Sequence, residues 1–153
     1  MKSRAIAWFR NDLRVHDNVL LHEVSTASKN GFEVICLYCF DPRHFQTTPF
    51  GSIKCDRHRA QFLLESVANL RQNLKLIDSN LFVSFGNPEE IIPRLVSNAN
   101  KSKIFVQNIS AYEEQQVVKN VRRALGKIPG SSLHTIASDS TLYHIVRKLY
   151  QGI

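Results

Sequence analysis

Five short apolar runs, each separated from the next by a segment with helical spacing, constrain the fold of this chain most strongly. The runs are residues 4–9, 33–40, 81–85, 103–107 and 133–136. Apolar runs of this length between polar loops are typical of buried strands. Strands separated by helices run parallel, because each crossover returns the chain to the same edge of the sheet. The sequence therefore predicts an α/β fold, with an open, doubly wound, five-stranded parallel sheet that is Rossmann-like.

Helix signals occupy the intervals between these runs. Asp17 is a predicted cap for a helix that ends at Asn30-Gly31. The longest helix is predicted from residue 56 to about residue 76. Its apolar face consists of Phe62, Leu63, Val67, Leu70 and Leu74. A third helix begins with Asn87 as cap and Pro88 at its first position, and a fourth spans about 113–125.

In such sheets ligands bind beyond the carboxyl ends of the strands, where the strand order reverses. The loops after residues 9, 40, 85 and 107 are therefore the places to look for a site. Neither G-x-G-x-x-G nor G-x-x-x-x-G-K-[ST] is present in the sequence, so the usual dinucleotide and phosphate loops are not indicated.

The loop after the first strand is crowded with charge. Arg10 and Arg14 could bind an anion, or they could pair with Asp12 and Asp17 and brace the loop. His16 lies beside Asp17, but no nucleophile accompanies the pair, and a structural histidine is the preferred interpretation.

The loop after the fourth strand opens a helix with two acids, Glu113 and Glu114. Acids in a first helical turn interact favourably with the helix dipole, which is one explanation. The other is ligand binding, because a carboxylate at this edge could accept hydrogen bonds from the N–H groups of a heterocycle such as a pterin. Both interpretations stay open at this stage.

Composition limits the class of protein. The chain has 153 residues, of which 43% are hydrophobic, so one domain with one core is expected. The formal charge of +7 suits a polyanionic partner such as DNA, and equally suits a solvated surface. No apolar run approaches the length needed to span a bilayer, and a cytoplasmic or nuclear protein is expected, with an organellar form left open.

The three cysteines do not form an even disulfide framework. Cys36 and Cys39 make a C-x-x-C inside a strand-like run, so buried structural thiols are predicted in place of a redox pair. The third, Cys55, stands alone, and the scattered histidines give no pattern of zinc ligands.

Several motifs resemble those of photolyases and cryptochromes. Residues 8–18 read W-F-R-N-D-L-R-V-H-D-N, which is similar to the opening signature W-F-R-x-D-L-R-x-x-D-N of that family. Residues 38–43, 59–67 and 140–144 resemble the corresponding stretches of the DASH-type cryptochromes in particular. The resemblance runs from about residue 4 to residue 144.

The resemblance implies an α/β domain that carries an antenna chromophore, in the DASH branch usually 5,10-methenyltetrahydrofolate. In the family the folate lies in the cleft between two domains, so an incomplete antenna site is expected in this chain. In the family a larger helical domain buries FAD, which donates an electron to a pyrimidine dimer flipped out of DNA, chiefly single-stranded DNA in the DASH branch. A family glutamate after the fourth strand binds the antenna pterin and corresponds to Glu114 here. Glu113 and Arg10 are its predicted companions.

The predicted domain covers residues 1–139, and residues 140–153 are expected to begin an interdomain linker with a divergent, truncated end. The FAD-binding helical domain is absent from these 153 residues, so FAD is expected only in a full-length protein, and repair by this chain alone is not predicted. The family activity is deoxyribodipyrimidine photo-lyase, and whether this chain is itself an enzyme stays open. The alternatives are a non-catalytic module that binds a nucleotide, a nucleic acid or a protein, and a fragment without a function of its own.

Overall fold

The computed structural model describes residues 2–109 and 111–136 and contains the predicted alternation of strands and helices. The strands are β1 (Arg4–Phe9), β2 (Glu33–Phe40), β3 (Leu81–Phe85), β4 (Ser102–Gln107) and β5 (Ser131–Ile136). The helices are α1 (Val19–Lys29), α2 (Arg57–Lys75), α3 (Pro88–Val96) and α4 (Tyr112–Leu125), with a 3-10 turn at Pro42–Phe45. The predicted linker, 140–153, lies outside the described residues.

All five strands run parallel, in the order β3-β2-β1-β4-β5. The chain moves outward from β1 to β3, returns across the sheet through α3, and continues outward from β4 to β5. The strand order therefore reverses between β1 and β4, which is the arrangement that opens a crevice at the carboxyl ends of the strands. The predicted open, doubly wound sheet is confirmed.

The core consists of two layers, one on each face of the sheet. Ala5, Ala7 and Phe9 of β1 face α1 and α2, whereas Ile6 and Trp8 face α3 and α4. Alternate residues of a strand point to opposite faces, and β1 is buried on both, which explains why it is a continuous apolar run and not an alternating one. Cys36 and Cys39 follow the same rule and lie unpaired in opposite layers.

Three details of the helices differ from the sequence predictions. The cap of α1 is Asn18 and not Asp17, because the Asn18 side chain accepts hydrogen bonds from the backbone N–H groups of Leu20 and Leu21, while Asp17 has φ of 48°. Asn87 begins α3 but makes no side-chain cap hydrogen bond to the backbone; its Nδ2 instead donates to Glu90. Phe62 belongs to the predicted apolar face of α2, but it is 69% exposed and is not part of the core.

Gly130 connects α4 to β5 and has φ of +78°, a region that L-residues rarely adopt. A Cβ at this position would lie 2.9 Å from the backbone oxygen of Asn100, which cannot move aside like a side chain. Gly51 has a similar φ of +81°, but a Cβ there would meet nothing within 4 Å. A comparison of alanine substitutions at these two positions therefore distinguishes the cost of the positive φ from the cost of steric crowding by a Cβ.

We expect Gly130→Ala to lower the free energy of unfolding by about 3 kcal/mol, and Gly51→Ala by only about 1 kcal/mol. The difference arises because both variants have the unfavourable positive φ but only the first also forces the backbone at Asn100 to shift. Urea denaturation with linear extrapolation measures both values. Equal losses for the two variants would contradict the close approach at Asn100.

Candidate functional site

An open cleft of about 1030 Å³ lies at the carboxyl edge of the sheet. It is bordered by the loops that follow β1, β2 and β4 and by the start of α2, which is where the strand order predicts a ligand site. The cleft has apolar walls and charged groups on its floor and rim. Its lining includes Trp8, Arg10, Tyr38, Asp41, His44, Lys54, Arg59, Phe62, Glu113 and Glu114.

Arg10 and Glu114 form an ion pair on the floor of the cleft. The side chains are only 7% and 17% exposed, and the guanidinium contacts Glu114 Oε2, although no hydrogen bond of ordinary geometry joins this oxygen to a donor in the described residues. Arg10 Nη1 also donates to the backbone oxygen of Glu114, at 3.2 Å, and the guanidinium carbon lies 5.0 Å from the centre of the Trp8 ring. The expected pairing of Arg10 with Asp12 or Asp17 is wrong, because the nearest carboxylate comes from α4, 104 residues along the chain.

Burial is the main cause of the altered pKa of Arg10. It lowers the pKa to about 10, with a further decrease from the charge of Arg43, while Asp41 acts in the opposite direction. Arg10 therefore stays cationic at neutral pH. A buried cation needs a compensating carboxylate, and Glu114 supplies it.

His44 contacts the other oxygen of Glu114. Its Nε2 lies 3.5 Å from Glu114 Oε1, and its side chain is 43% exposed. Burial lowers the pKa of His44 below its ordinary value of 6.5, so the ring is largely neutral at pH 7. Glu114 is thus flanked by one permanent cation and one neutral imidazole.

Arg43 braces the turn that carries His44. Its guanidinium donates to Asp41, with Nε 2.8 Å from Oδ1, and in a bidentate arrangement to Glu89, with both N–O distances 2.9 Å. Asp41 is 3% exposed; burial raises its pKa, but the hydrogen bonds from Arg43 outweigh this and leave the pKa below its ordinary value. The brace therefore joins the end of β2 to the first turn of α3.

Lys54 and Glu113 form a second ion pair on the rim. Lys54 Nζ lies 2.9 Å and 3.0 Å from the two carboxylate oxygens of Glu113, which is 74% exposed. Lys54 lowers the pKa of Glu113. The pair links the loop before α2 to the start of α4, and because Glu113 is open to solvent it adds little to stability.

The structure brings Arg10, Glu113 and Glu114 to one cleft, as the sequence predicted. It places Arg14 on the surface with Asp12, at 2.9 Å, so this half of the expected bracing is confirmed. His16 is exposed and does not line the cleft. The two C-x-x-C thiols are buried, and burial raises the pKa of Cys39 to about 12, which makes it a poor nucleophile.

Sequence reasoning missed His44, Arg43 and Tyr38. The available signal was their position directly at or after the end of β2, because the loop after residue 40 was already expected to face the ligand site. Burial raises the pKa of the Tyr38 hydroxyl to about 12, so this group at the cleft is a neutral donor at all ordinary pH values.

The sheet order and the cleft together define an open, doubly wound α/β domain with a cleft at its switch point. A family model described as DNA photolyase matches residues 5–147. The chain therefore belongs to the DNA photolyase family, as the motifs in the sequence indicated. Within residues 2–109 and 111–136, no helix is long and apolar enough to cross a membrane.

Curated relatives confirm the likeness to DASH-type cryptochromes. Cryptochrome DASH of Gloeobacter violaceus is 45% identical over 123 residues, which cover 80% of this chain and 24% of that protein. Cryptochrome DASH of Xenopus laevis is 42% identical over 141 residues, which cover 91% of this chain and 26% of that protein. The chain thus spans about a quarter of the length of these relatives.

Solved structures agree with the fold. A Synechocystis cryptochrome superposes with a TM-score of 0.78 at 34% identity, over 86% of this chain and 26% of that one. A Sulfolobus tokodaii photolyase solved with two FAD molecules superposes with a TM-score of 0.71 at 21% identity, over 88% and 29%. The second likeness concerns the fold alone.

We expect Asp41→Asn to lower the free energy of unfolding by about 2 kcal/mol at pH 7, because asparagine can still cap the 3-10 turn but leaves Arg43 without a buried carboxylate. The pKa of Asp41 is lowered in the folded state, so its contribution is complete above the ordinary value of 3.8 and is lost as the pH falls through the folded value.

The matched control is Glu113→Gln, which removes a carboxylate from an exposed ion pair and should leave stability unchanged. Urea denaturation of the wild type and both variants between pH 7 and pH 3 measures the three curves. A loss for Asp41→Asn that does not diminish toward pH 3 would exclude the charge of Asp41 as its cause.

Proposed function

We propose that this chain is the antenna-chromophore domain of a DASH-type cryptochrome or photolyase and that its cleft binds 5,10-methenyltetrahydrofolate. One observation carries the proposal: the Glu114 carboxylate lies on the floor of a cleft at the switch point and is fixed there by Arg10 and His44. The position of Glu114 matches the pterin-binding glutamate that the family resemblance implies.

The chemistry of the cleft suits a pterin. A carboxylate has about four lone-pair directions, and in the described residues no hydrogen bond of ordinary geometry reaches Oε2 while His44 only contacts Oε1, so Glu114 can still accept hydrogen bonds from the adjacent N–H groups of a heterocycle. The apolar walls, which include Phe62 and Leu63, would contact the faces of a planar ring. The exposed position of Phe62 supports this role, because a large apolar group at a cleft is stabilised when a ligand covers it.

The three predicted site residues and Tyr38 each have a separate part in this proposal. Glu114 binds the N–H groups of the ring, and Arg10 orients the Glu114 carboxylate through their ion pair. Glu113 stays on the rim, where its ion pair with Lys54 holds the loop before α2 against α4. Tyr38 supplies a neutral hydroxyl at the cleft.

The bound folate would absorb light and pass the energy to a flavin. FAD, the repair of cyclobutane dimers in DNA and the interdomain surface belong, in this proposal, to the remaining three quarters of a full-length protein. The residues described here then supply binding, orientation and partial exclusion of water, and not the redox step. The place of action is proposed as the cytoplasm or nucleus, or an organelle, as for the plant relative named chloroplastic/mitochondrial.

We expect the 153-residue chain to bind 5,10-methenyltetrahydrofolate with a change in its absorption spectrum, and Glu114→Gln to weaken the affinity roughly tenfold to a hundredfold. The reason is that a hydrogen bond to a charged group contributes roughly 1.5–3 kcal/mol, much of which the neutral amide loses. Spectroscopic titration at pH 7 measures the dissociation constants of both proteins.

Glu33→Gln is the matched control, because Glu33 lies at the opposite end of the strands and pairs there with Arg4 at 3.5 Å. This variant carries the same charge change and should bind like the wild type. If the wild type shows neither a spectral change nor binding, the proposed function is wrong.

A second candidate is a nucleotide- or nucleic-acid-binding module. It is favoured by the first turn of α2, which holds Arg57, His58 and Arg59 and no acid. Basic groups at this end of a helix oppose the helix dipole, so an anion placed beside them would be stabilised. Arg59 also lines the cleft, which connects this surface to the same site.

For this second candidate, anisotropy of a labelled single-stranded oligonucleotide is the measurement. Binding should weaken with salt, and the Arg57→Gln, Arg59→Gln double variant should reduce the slope of log affinity against log salt by about 1.4, at roughly 0.7 per phosphate contact. An unchanged slope would exclude these two arginines from phosphate contact.

A further inference from the structure

The four residues that follow β2, Asp41 to His44, connect two helices that otherwise meet the cleft from different directions. Arg43 holds Glu89 in the first turn of α3 through two hydrogen bonds of 2.9 Å each. His44, the next residue, reaches Glu114 in the first turn of α4. This short turn therefore fixes the position of His44, whose side chain contacts Glu114, the carboxylate proposed to bind the ligand.

The brace is rigid because both partners of Arg43 are bidentate. The guanidinium Nε lies 2.8 Å and 3.1 Å from the two Asp41 oxygens, and Nη2 lies 2.6 Å from Oδ2. Paired fork geometry of this kind defines orientation as well as contributing energy. The backbone N–H of Arg43 also donates to Asp41, at 2.9 Å, so the turn cannot rotate without breaking several hydrogen bonds.

We propose that residues 41–44 are a positioning device for Glu114, in which Arg43 ties the turn to α3 and thereby holds His44 against the carboxylate oxygen Oε1. As far as the ligand is concerned, this inference rests on the proposed function. With Arg10 on Oε2 and His44 on Oε1, the carboxylate plane is fixed before the ligand arrives. A fixed acceptor binds more tightly, because the cost of ordering the side chain does not fall on the binding step.

Charged groups from several elements surround His44. Burial lowers its pKa, Asp41 raises it, and the cations lower it further. The neutral imidazole that results can donate one N–H to Glu114 without neutralising the carboxylate. The groups that face His44 are Arg10 after β1, Asp41 and Arg43 in the turn, Arg59 on α2, and Glu113 and Glu114 on α4.

The first test needs no ligand. The His44 ring resonances of the 153-residue chain are titrated by NMR in the wild type, Glu114→Gln, Arg43→Met and the control Glu33→Gln. We expect Glu114→Gln to lower the pKa of His44, because a nearby negative charge favours the imidazolium. Arg43→Met removes a cation near His44 and so changes the pKa by itself; the comparison is therefore between Arg43→Met and the double variant Arg43→Met/Glu114→Gln, in which we expect no further shift. An unchanged pKa of His44 in Glu114→Gln would overturn the proposal.

The second test is a double-mutant cycle on folate affinity. His44→Leu should weaken binding roughly fivefold to tenfold in the wild type, an effect comparable to one hydrogen bond. In the Glu114→Gln background the same change should have no further effect, since His44 acts through Glu114. Equal losses in both backgrounds would show that His44 acts independently of Glu114 and would overturn the positioning role.

The two tests separate this inference from the proposed function. If the wild type binds no folate but Glu114→Gln still shifts the pKa of His44, the antenna proposal fails while the positioning of Glu114 by His44 is supported. If folate binds and Glu114→Gln leaves His44 unaffected, the antenna proposal stands and the positioning device does not. Thermal unfolding of each variant confirms that the folded chain is being compared.

Discussion

Strand β1 has hydrogen-bonded neighbours on both sides and helices on both faces, and the order of the other strands is fixed around it. β2 and β4 both pair with β1 in parallel, so the chain must leave β1 in one direction, return through α3, and continue in the other. The loops after β1 and β4 then diverge, and no crossover covers the gap between them. The strand order therefore determines where the cleft lies, and the side chains determine only what lines it.

The charged residues at this gap need partners of opposite charge, because they are partly or largely buried. Arg10 directly follows the most buried strand and is itself only 7% exposed, so it requires a carboxylate nearby. Glu114 can meet it because the first turn of α4 begins just after β4, the neighbour of β1 on that side. A second compensated group, Arg43 with Asp41 and Glu89, closes the other border of the cleft after β2. Arg10 and Arg43 at this edge of the sheet are therefore each compensated by at least one carboxylate.

The sequence predicted the sheet and helices well, because periodic burial is a local signal. Residues 4–9, 33–40 and 81–85 are strands with the predicted bounds. Each is an apolar run between polar or turn-forming residues, and this pattern can be read from the local sequence alone. The cap of α1 was misassigned by one residue, since Asp17 and Asn18 are both good caps and only backbone geometry distinguishes them. The exposure of Phe62 was not predictable, because periodicity defines the apolar face of a helix but not how much of that face other elements cover.

The site was only partly predictable. Position at the carboxyl edge identified Arg10, Glu113 and Glu114 as members of one cleft, but not that Arg10 would pair with Glu114, because that contact joins residues 104 apart. His44 lies in a 3-10 turn that has no periodic signal, and its importance comes entirely from the Glu114 oxygen 3.5 Å away. Long-range pairing of this kind becomes visible only when the strand order is known.

The different exposures of Glu113 and Glu114 show how one helix start can serve two purposes. Both acids lie in the first turn of α4, where either would favour the helix dipole. Their side chains point to different environments: Glu114 is 17% exposed between Arg10 and His44, and Glu113 is 74% exposed beside Lys54. If the two acids served only to interact with the helix dipole, both side chains could be exposed. The burial of Glu114 against Arg10 and His44 is a cost that such a role does not explain. Compensation of the buried Arg10 charge accounts for one of these contacts, and the ligand recognition proposed for Glu114 would account for its place on the floor of the cleft.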